Sequence, residues 1–386
     1  MKYLSKQHDI SWQRKIVSAI VSIFTFPLKL MRRTFNLGLV KRILIIQWDY
    51  LGDIITSTPA LAQLRKLCPA ADISLLTSLE NKLYIDRFPY VNNIIYLQNP
   101  LHIGRERLGI KKILKCIALL RKNSYDLVIE LSGRLPNQLF LPFLRVKYRV
   151  GYDPAHNFCY LDKRVFSADK HQIFRNIDVI NEMFLPRRFE CSIDLWNPAT
   201  DKTRLKVKEV LLEKNVLPNK YIIIHPSASW EPRKWPAEKW ASVVNYLGTV
   251  NRFVLFVGAE SEVNQIKNIQ MHLKSNKYLN MAGLLSVPET IALMESAEFF
   301  IGSDSGPMHL AATARLKGII LFGPGDTNRW GYDLHTIIYR KQKCSPCPQF
   351  AFRNKCQKGF VTCKGLLNIS ADDVIDICKK ILLEKI

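Results

Sequence analysis

Two runs, Lys41 to Trp48 (KRILIIQW) and Tyr221 to His225 (YIIIH), are apolar almost without interruption and rich in β-branched side chains. A strand with apolar residues at consecutive positions has to bury both faces, the condition of a parallel sheet covered by helices on either side. Each run opens a series in which strand-like and helix-like stretches alternate. The first continues through strands at Asp72 to Thr77, Asn93 to Leu97 and Tyr125 to Leu131. A helical pattern starts near Thr58-Pro59 and another covers Ile110 to Arg121. The second continues through helices at Trp235 to Leu247, Glu262 to Leu273 and Val287 to Ser296. Its strands fall at Arg252 to Val257, Phe299 to Gly302 and Lys317 to Phe322. With no repeat of fixed period, two such series predict an α/β fold of two doubly wound domains facing a central cleft. The stretch Trp196-Asn197-Pro198-Ala199-Thr200-Asp201 reads as the linker, which sets the domains at 41–198 and 199–386. A length of 386 residues accommodates both.

Charge and cysteine content narrow the partners. The chain has 56 Lys and Arg against 33 Asp and Glu, a net charge of +23 that favours a polyanionic partner. Nine cysteines with no cleavable signal argue against a secreted disulfide framework and for a reducing, cytoplasmic setting. Much of the positive excess lies in an N-terminal extension, residues 1–40, where Ile16 to Met31 is apolar between Arg14-Lys15 and Arg32-Arg33. That stretch is shorter than the about 20 residues a membrane span requires. Ser18, Ser22, Thr25 and Lys29 form one polar stripe along it, as expected of a helix lying in the interface of an anionic membrane or packed on the protein's own surface. Pro27 would break its last turn. The basic residues carry no aromatic-interleaved recognition motif, which counts against nucleic acid.

Ligands of doubly wound sheets bind beyond the carboxyl ends of strands, and three polar stretches fall there. In GSDSGPMHLAA (302–312), Asp304, Ser305 and Gly306 stand between a strand and a helix start, where a carboxylate and a hydroxyl can meet a polyol and free N–H groups favour an anion. Either side chain would also serve as a helix cap. In HPSASWEPRKWP (225–236), Ser227, Ser229, Arg233 and Lys234 gather hydroxyls and cations as a diphosphate requires. In WDYLGDIITSTPAL (48–61), Asp53 follows the first strand, as a cap or as a functional carboxylate. The 225–236 stretch is not a Walker loop, and no Gly-x-Gly-x-x-Gly follows any strand, which counts against a dinucleotide oxidoreductase.

Together with LFGPGDTNRW (321–330), these stretches resemble the glycosyltransferase family 9 heptosyltransferases, which extend the inner core of bacterial lipopolysaccharide, from about Arg42 to the C-terminus. The resemblance implies a GT-B fold whose first domain binds the acceptor and whose second binds the sugar nucleotide. It implies inverting transfer from ADP-L-glycero-D-manno-heptose to Kdo-lipid A or a heptosylated core, with no metal and no cofactor. Matched by motif, Asp53 is the general base. Asp304 holds the heptose hydroxyls, and Ser305, Gly306 and His309 line the same pocket. Ser227, Ser229, Arg233 and Lys234 meet the diphosphate, and Glu262 the ribose. The implied location is the cytoplasmic face of the inner membrane, held peripherally.

The sequence departs from the family pattern in three places. Arg233 stands where the family usually has the lysine two residues before Trp-Pro, with Lys234 next to it. Gly325 replaces the usual threonine after Phe-Gly-Pro. Trp48-Asp49-Tyr50 precedes Leu-Gly-Asp, which makes Asp49 a competitor for the base. Cys344, Cys347, Cys356 and Cys363 have a spacing that suits a structural zinc as well as free or paired thiols. A GT-B transferase using another nucleotide sugar, or a non-transferring sugar-nucleotide enzyme such as an epimerase, would use the same residues.

Overall fold

A computed structural model of the chain describes residues 37–98, 110–138, 140–153, 161–166, 170–186, 188–347, 356 and 359–384. Nearly all of the N-terminal extension, including the expected interfacial helix, lies outside the described residues. The chain divides into two compact units, Met1–Asp194 and Leu195–Ile386.

The first unit contains six parallel strands, β1 (Arg42–Gln47), β2 (Asp72–Thr77), β3 (Asn93–Tyr96), β4 (Tyr125–Glu130), β5 (Val146–Tyr152) and β6 (Lys163–Val165), in the order β3-β2-β1-β4-β5-β6. The second contains β7 (Tyr221–His225), β8 (Phe253–Phe256), β9 (Tyr278–Asn280), β10 (Phe300–Ser303), β11 (Gly318–Phe322) and β12 (His335–Tyr339). They run in the order β12-β11-β10-β7-β8-β9. Both sheets grow outward in two directions from a fork between their first and fourth strands, β1 beside β4 and β7 beside β10. The fork is where ligands of such sheets bind. Ile43, Leu44, Ile45 and Ile46 in β1 and Ile222, Ile223 and Ile224 in β7 have no exposed surface, as strands covered on both faces must. Each such side chain contributes roughly 2 kcal/mol of burial.

Helices cover the faces, and their starts follow local chemistry. Thr200 caps Asp201–Glu213 by accepting from Thr203 N at 3.2 Å, so Asp201 of the expected linker is the first residue of a helix. Ser286 and Ser370 cap Val287–Glu295 and Ala371–Leu383 with reciprocal capping boxes. The predicted helix at Trp235 begins two residues later, at Ala237, because Trp235 leaves the helical path to stack edge-on against Trp240 at 5.0 Å and to donate to Ile369 O at 3.1 Å.

One boundary differs more. The helix expected to start near Thr58-Pro59 runs from Leu51 to Leu67 with Pro59 inside it. Proline removes the N–H that would reach the Ile55 carbonyl one turn back. Thr58 Oγ1 donates to that carbonyl at 2.8 Å instead, so the helix continues. Thr58→Val, which keeps the shape and removes the donor, should lower unfolding stability by about 1 to 2 kcal/mol in a urea titration. No loss would mean that the carbonyl is served by other means.

Candidate functional site

Polar side chains collect at the carboxyl end of the fork in each unit. In the second unit, His225 ends β7 and pairs in register with Gly302 of β10. It is 2% exposed, with Nδ1 3.2 Å from Ser305 Oγ and Nε2 3.2 Å from Glu262 Oε2. The helix Gly306–Thr313 has Ser305 at its N-cap position, yet the Ser305 side chain makes no cap bond; it turns to His225 and to Ser303 O, 3.1 Å away. Ala259 N donates to Glu262 Oε2 at 2.8 Å. Burial alone would raise the Glu262 carboxyl, but the His225 hydrogen bond and charge, with Ser227 and the Ala259 amide, outweigh it and bring it down to about 2.

Asp304 lies beside this group and is 4% exposed. Arg233 donates through Nη1 to Asp304 O at 2.8 Å and places Nη2 3.4 Å from Asp304 Oδ2, its guanidinium 5.6 Å from the Trp230 ring centroid. Burial pushes the Asp304 carboxyl above the usual carboxylate range, Arg233 draws it back, and Asp326 pushes it up again. Gly325 leaves room for this carboxylate, because a Cβ at that position would fall 2.1 Å from Asp304 Oδ2 and the carboxylate would have to turn aside.

The expected diphosphate residues therefore divide. Arg233 is engaged with Asp304, whereas Lys234 makes an i,i+3 pair with Glu231 at 2.7 Å on a partly exposed surface, an interaction of small worth. Ser227 is buried and donates to Gln265 Oε1 at 2.9 Å, and Ser229 is exposed. Gly306 opens the helix. His309 is buried, with Nδ1 2.8 Å from Tyr332 Oη and its ring edge-on to Trp330. Among the described residues no group of three or more His, Cys, Asp or Glu is placed to hold a metal ion. Of Cys344, Cys347, Cys356 and Cys363, whose spacing allowed one, Cys344, Cys356 and Cys363 are free thiols. Cys363 sits instead at the N-cap position of the helix Lys364–Leu367. Backbone bonds from Cys347 N to Pro324 O and from Cys363 N to Pro232 O, both 3.0 Å, tie that segment to the loops bearing Gly325 and Arg233.

In the first unit, Asp53 is 7% exposed on the first turn of Leu51–Leu67, and its Oδ2 accepts from Tyr50 N at 3.2 Å, so it caps its own helix. Asp49 is also buried. Arg134 Nε lies 3.2 Å from its Oδ1, and the guanidinium stands 5.7 Å from the Tyr50 ring centroid. Asn137 Nδ2 reaches Asp49 Oδ2 at 3.5 Å and Ser132 Oγ at 2.8 Å, and Ser132 Oγ in turn donates to Glu130 Oε1. Glu130 ends β4 with no exposed surface and accepts further bonds from Ser132 N and Gly133 N, both at 2.9 Å, and from Gln138 Nε2 at 3.3 Å. The motifs did not single out His225, Glu130 or Arg134. The signal for the first two was a titratable residue closing a strand directly after a run of buried apolar residues.

Burial raises the Glu130 carboxyl and the Asp49 charge adds to that, while Ser132, Gln138 and Gly133 pull it back; the outcome is a rise from 4.5 to about 7. Between those values the folded chain keeps a proton that the unfolded chain has released, so Glu130 makes stability fall as pH rises through that window. Glu130→Gln removes the titration. The stability difference between wild type and variant in urea should shift between pH 4.5 and 7. A difference constant over that range would remove the assignment.

The family model described as glycosyltransferase family 9 (heptosyltransferase) matches residues 113–357. Lipopolysaccharide heptosyltransferase 3 of Escherichia coli K12 is 27% identical over 357 residues, 87% of this chain and 96% of that protein. Among solved structures, a family 9 glycosyltransferase from Veillonella parvula superposes with a TM-score of 0.72 at 20% identity, covering 89% of this chain and 98% of the other. The E. coli ADP-heptose LPS heptosyltransferase II superposes with a TM-score of 0.68 at 18% identity, covering 89% and 99%. Two doubly wound units of this kind are the GT-B fold, and the chain belongs to glycosyltransferase family 9, the heptosyltransferases.

Proposed function

We propose that the chain transfers heptose from ADP-L-glycero-D-manno-heptose to a lipopolysaccharide inner-core acceptor, with inversion and without a metal. The observation that carries this reading is the fork of the second unit. There a buried carboxylate, Asp304, acceptor groups on Ser305 and Glu262, and the start of the helix Gly306–Thr313 stand together. Asp304 meets the heptose hydroxyls, with Ser305, Gly306 and His309 around them, and Glu262 meets the ribose. Ser227 and Ser229 belong to the diphosphate side. Lys234 is the cation assigned to the diphosphate, because releasing an exposed Glu231 costs little, whereas releasing Arg233 would leave Asp304 buried and unpaired. Arg233 then shapes Asp304. A cation and helix N–H dipoles stabilise the departing ADP.

Asp53 is assigned as the base, taking the proton of the acceptor hydroxyl as its oxygen bonds to the anomeric carbon and the bond to the β-phosphate breaks. Asp49 supports a second reading of the same step, although its pairing with Arg134 favours a role in holding the loop. In transfer assays on Kdo-lipid A and heptosylated acceptors with EDTA present, wild type should form product. Asp53→Ala and Asp304→Ala should each lose about 100-fold or more. Full activity in Asp53→Ala would pass the base role to Asp49, and better use of a UDP sugar would overturn the donor.

The enzyme is further proposed to act at the cytoplasmic face of the inner membrane, held peripherally. Two features support this. Residues 1–42 carry nine Lys or Arg against one acidic residue. In the first unit, Lys41, Arg42, Arg145 and Lys147 line a surface cavity of about 530 Å³ whose one carboxylate, Asp126, is occupied by Lys147 at 2.7 Å and by the amides of Lys41 and Arg42. Among the described residues no helix is long and apolar enough to cross a membrane. Sedimentation with anionic vesicles at low salt should fall on deletion of residues 1–40 and again on Arg145→Glu with Lys147→Glu. Unchanged sedimentation in both would remove the idea.

A further inference from the structure

His225 joins three loops that the chain reaches at widely separated points. It closes β7, whose neighbours are β10 on one side and β8 on the other, and it bonds to the loop after each: Ser305 after β10 and Glu262 after β8. The chemistry of those bonds restricts what the flanking groups can offer a ligand. A carboxylate only accepts, so the His225 nitrogen facing Glu262 carries hydrogen. Ser305 has one hydroxyl hydrogen, and both atoms in reach of it point inward: Ser303 O at 3.1 Å and His225 Nδ1 at 3.2 Å. With that hydrogen turned inward, Ser305 meets a ligand through lone pairs. Glu262 does the same, with Oε2 held by His225 and Ala259 N. Gly258 permits the arrangement, because a Cβ there would come within 2.7 Å of Glu262 Oε2.

We propose that His225 is a positioning residue for the nucleotide sugar, holding Ser305 and Glu262 as a pair of acceptors that select hydroxyl groups over phosphate oxygens. The proposal rests on the reading of Ser305 and Glu262 as donor-site residues and gives that reading a division of labour. Hydroxyls of the ribose and the sugar donate to the pair held by His225. The phosphates are left to the N–H groups at the start of Gly306–Thr313 and to Lys234. A phosphate oxygen placed against Glu262 would face an acceptor with no hydrogen to share and a like charge, which orients the nucleotide sugar along the fork.

The test measures binding of ADP and of 2′,3′-dideoxy-ADP, by calorimetric titration, to full-length wild type, His225→Ala and His225→Gln. Wild type should bind ADP about 10-fold or more tightly than the dideoxy compound, the value of a hydrogen bond to a charged acceptor. In His225→Ala that preference should collapse to about threefold or less while the dideoxy compound binds nearly as before. A residue that only supported the fold would weaken both ligands alike. Glutamine presents one donor and one acceptor at a spacing close to that of the two ring nitrogens, so His225→Gln should restore part of the preference, and it keeps the question answerable where His225→Ala folds poorly. A preference unchanged in His225→Ala overturns the proposal and leaves the donor-site reading intact. Wild type that binds neither compound overturns both.

Discussion

A parallel sheet covered by helices on both faces leaves little room for polar side chains along its central strands, and the polar clusters of this protein gather at the forks as a consequence. β1 and β7 are apolar to their last residue or two, and the first place the chain can present a carboxylate, an imidazole or a hydroxyl is the turn beyond the strand. The two units solve the problem alike. Each forks between its first and fourth strands, and each spans the fork with a polar bridge: Asp49 to Arg134 in the first, His225 to Ser305 in the second. The bridges differ in kind. An ion pair with a partly exposed guanidinium leaves a cation near the surface, whereas an imidazole with both nitrogens engaged leaves only acceptors.

Those bridges also show where stability and chemistry draw on the same atoms. Asp53 is a helix cap and a candidate base at once, so one carboxylate serves both the fold and the assigned chemistry. Arg233 serves a buried carboxylate more than it serves solvent, so a cation that looks available in sequence is withdrawn in the fold. The fully enclosed Glu130 is the extreme case: its donors Ser132, Gly133 and Gln138 hold the loop from which Arg134 and Asn137 reach Asp49.

Much of the fold was legible because buried strands announce themselves by unbroken β-branched runs. Asp72–Thr77 and Tyr221–His225 have the boundaries read from sequence, and most others differ by one or two residues. The strands that escaped notice, β5, β6, β9 and β12, are short or carry charges, and they lie toward the sheet margins, where half-burial relaxes the pattern. Proline at 59 misled because the compensating hydroxyl is a tertiary detail that no propensity records. The motif at 302–312 picked out Asp304 and Ser305, and the helix start after β8 offered Glu262; the three lie at one fork. Neither could show that His225 ties two of them together, because that contact joins residues 80 and 37 positions apart.

The overlap between a side chain at 325 and the carboxylate of Asp304 constrains how this enzyme could change over evolutionary time. A mutation that adds even a methyl group at Gly325 turns the Asp304 carboxylate out of its present rotamer and loosens its pairing with Arg233 Nη2, while the bond from Arg233 Nη1 to the Asp304 carbonyl can stay. The effects of substitutions at these three positions are therefore expected to be coupled rather than additive, because each changes where one buried carboxylate can rest.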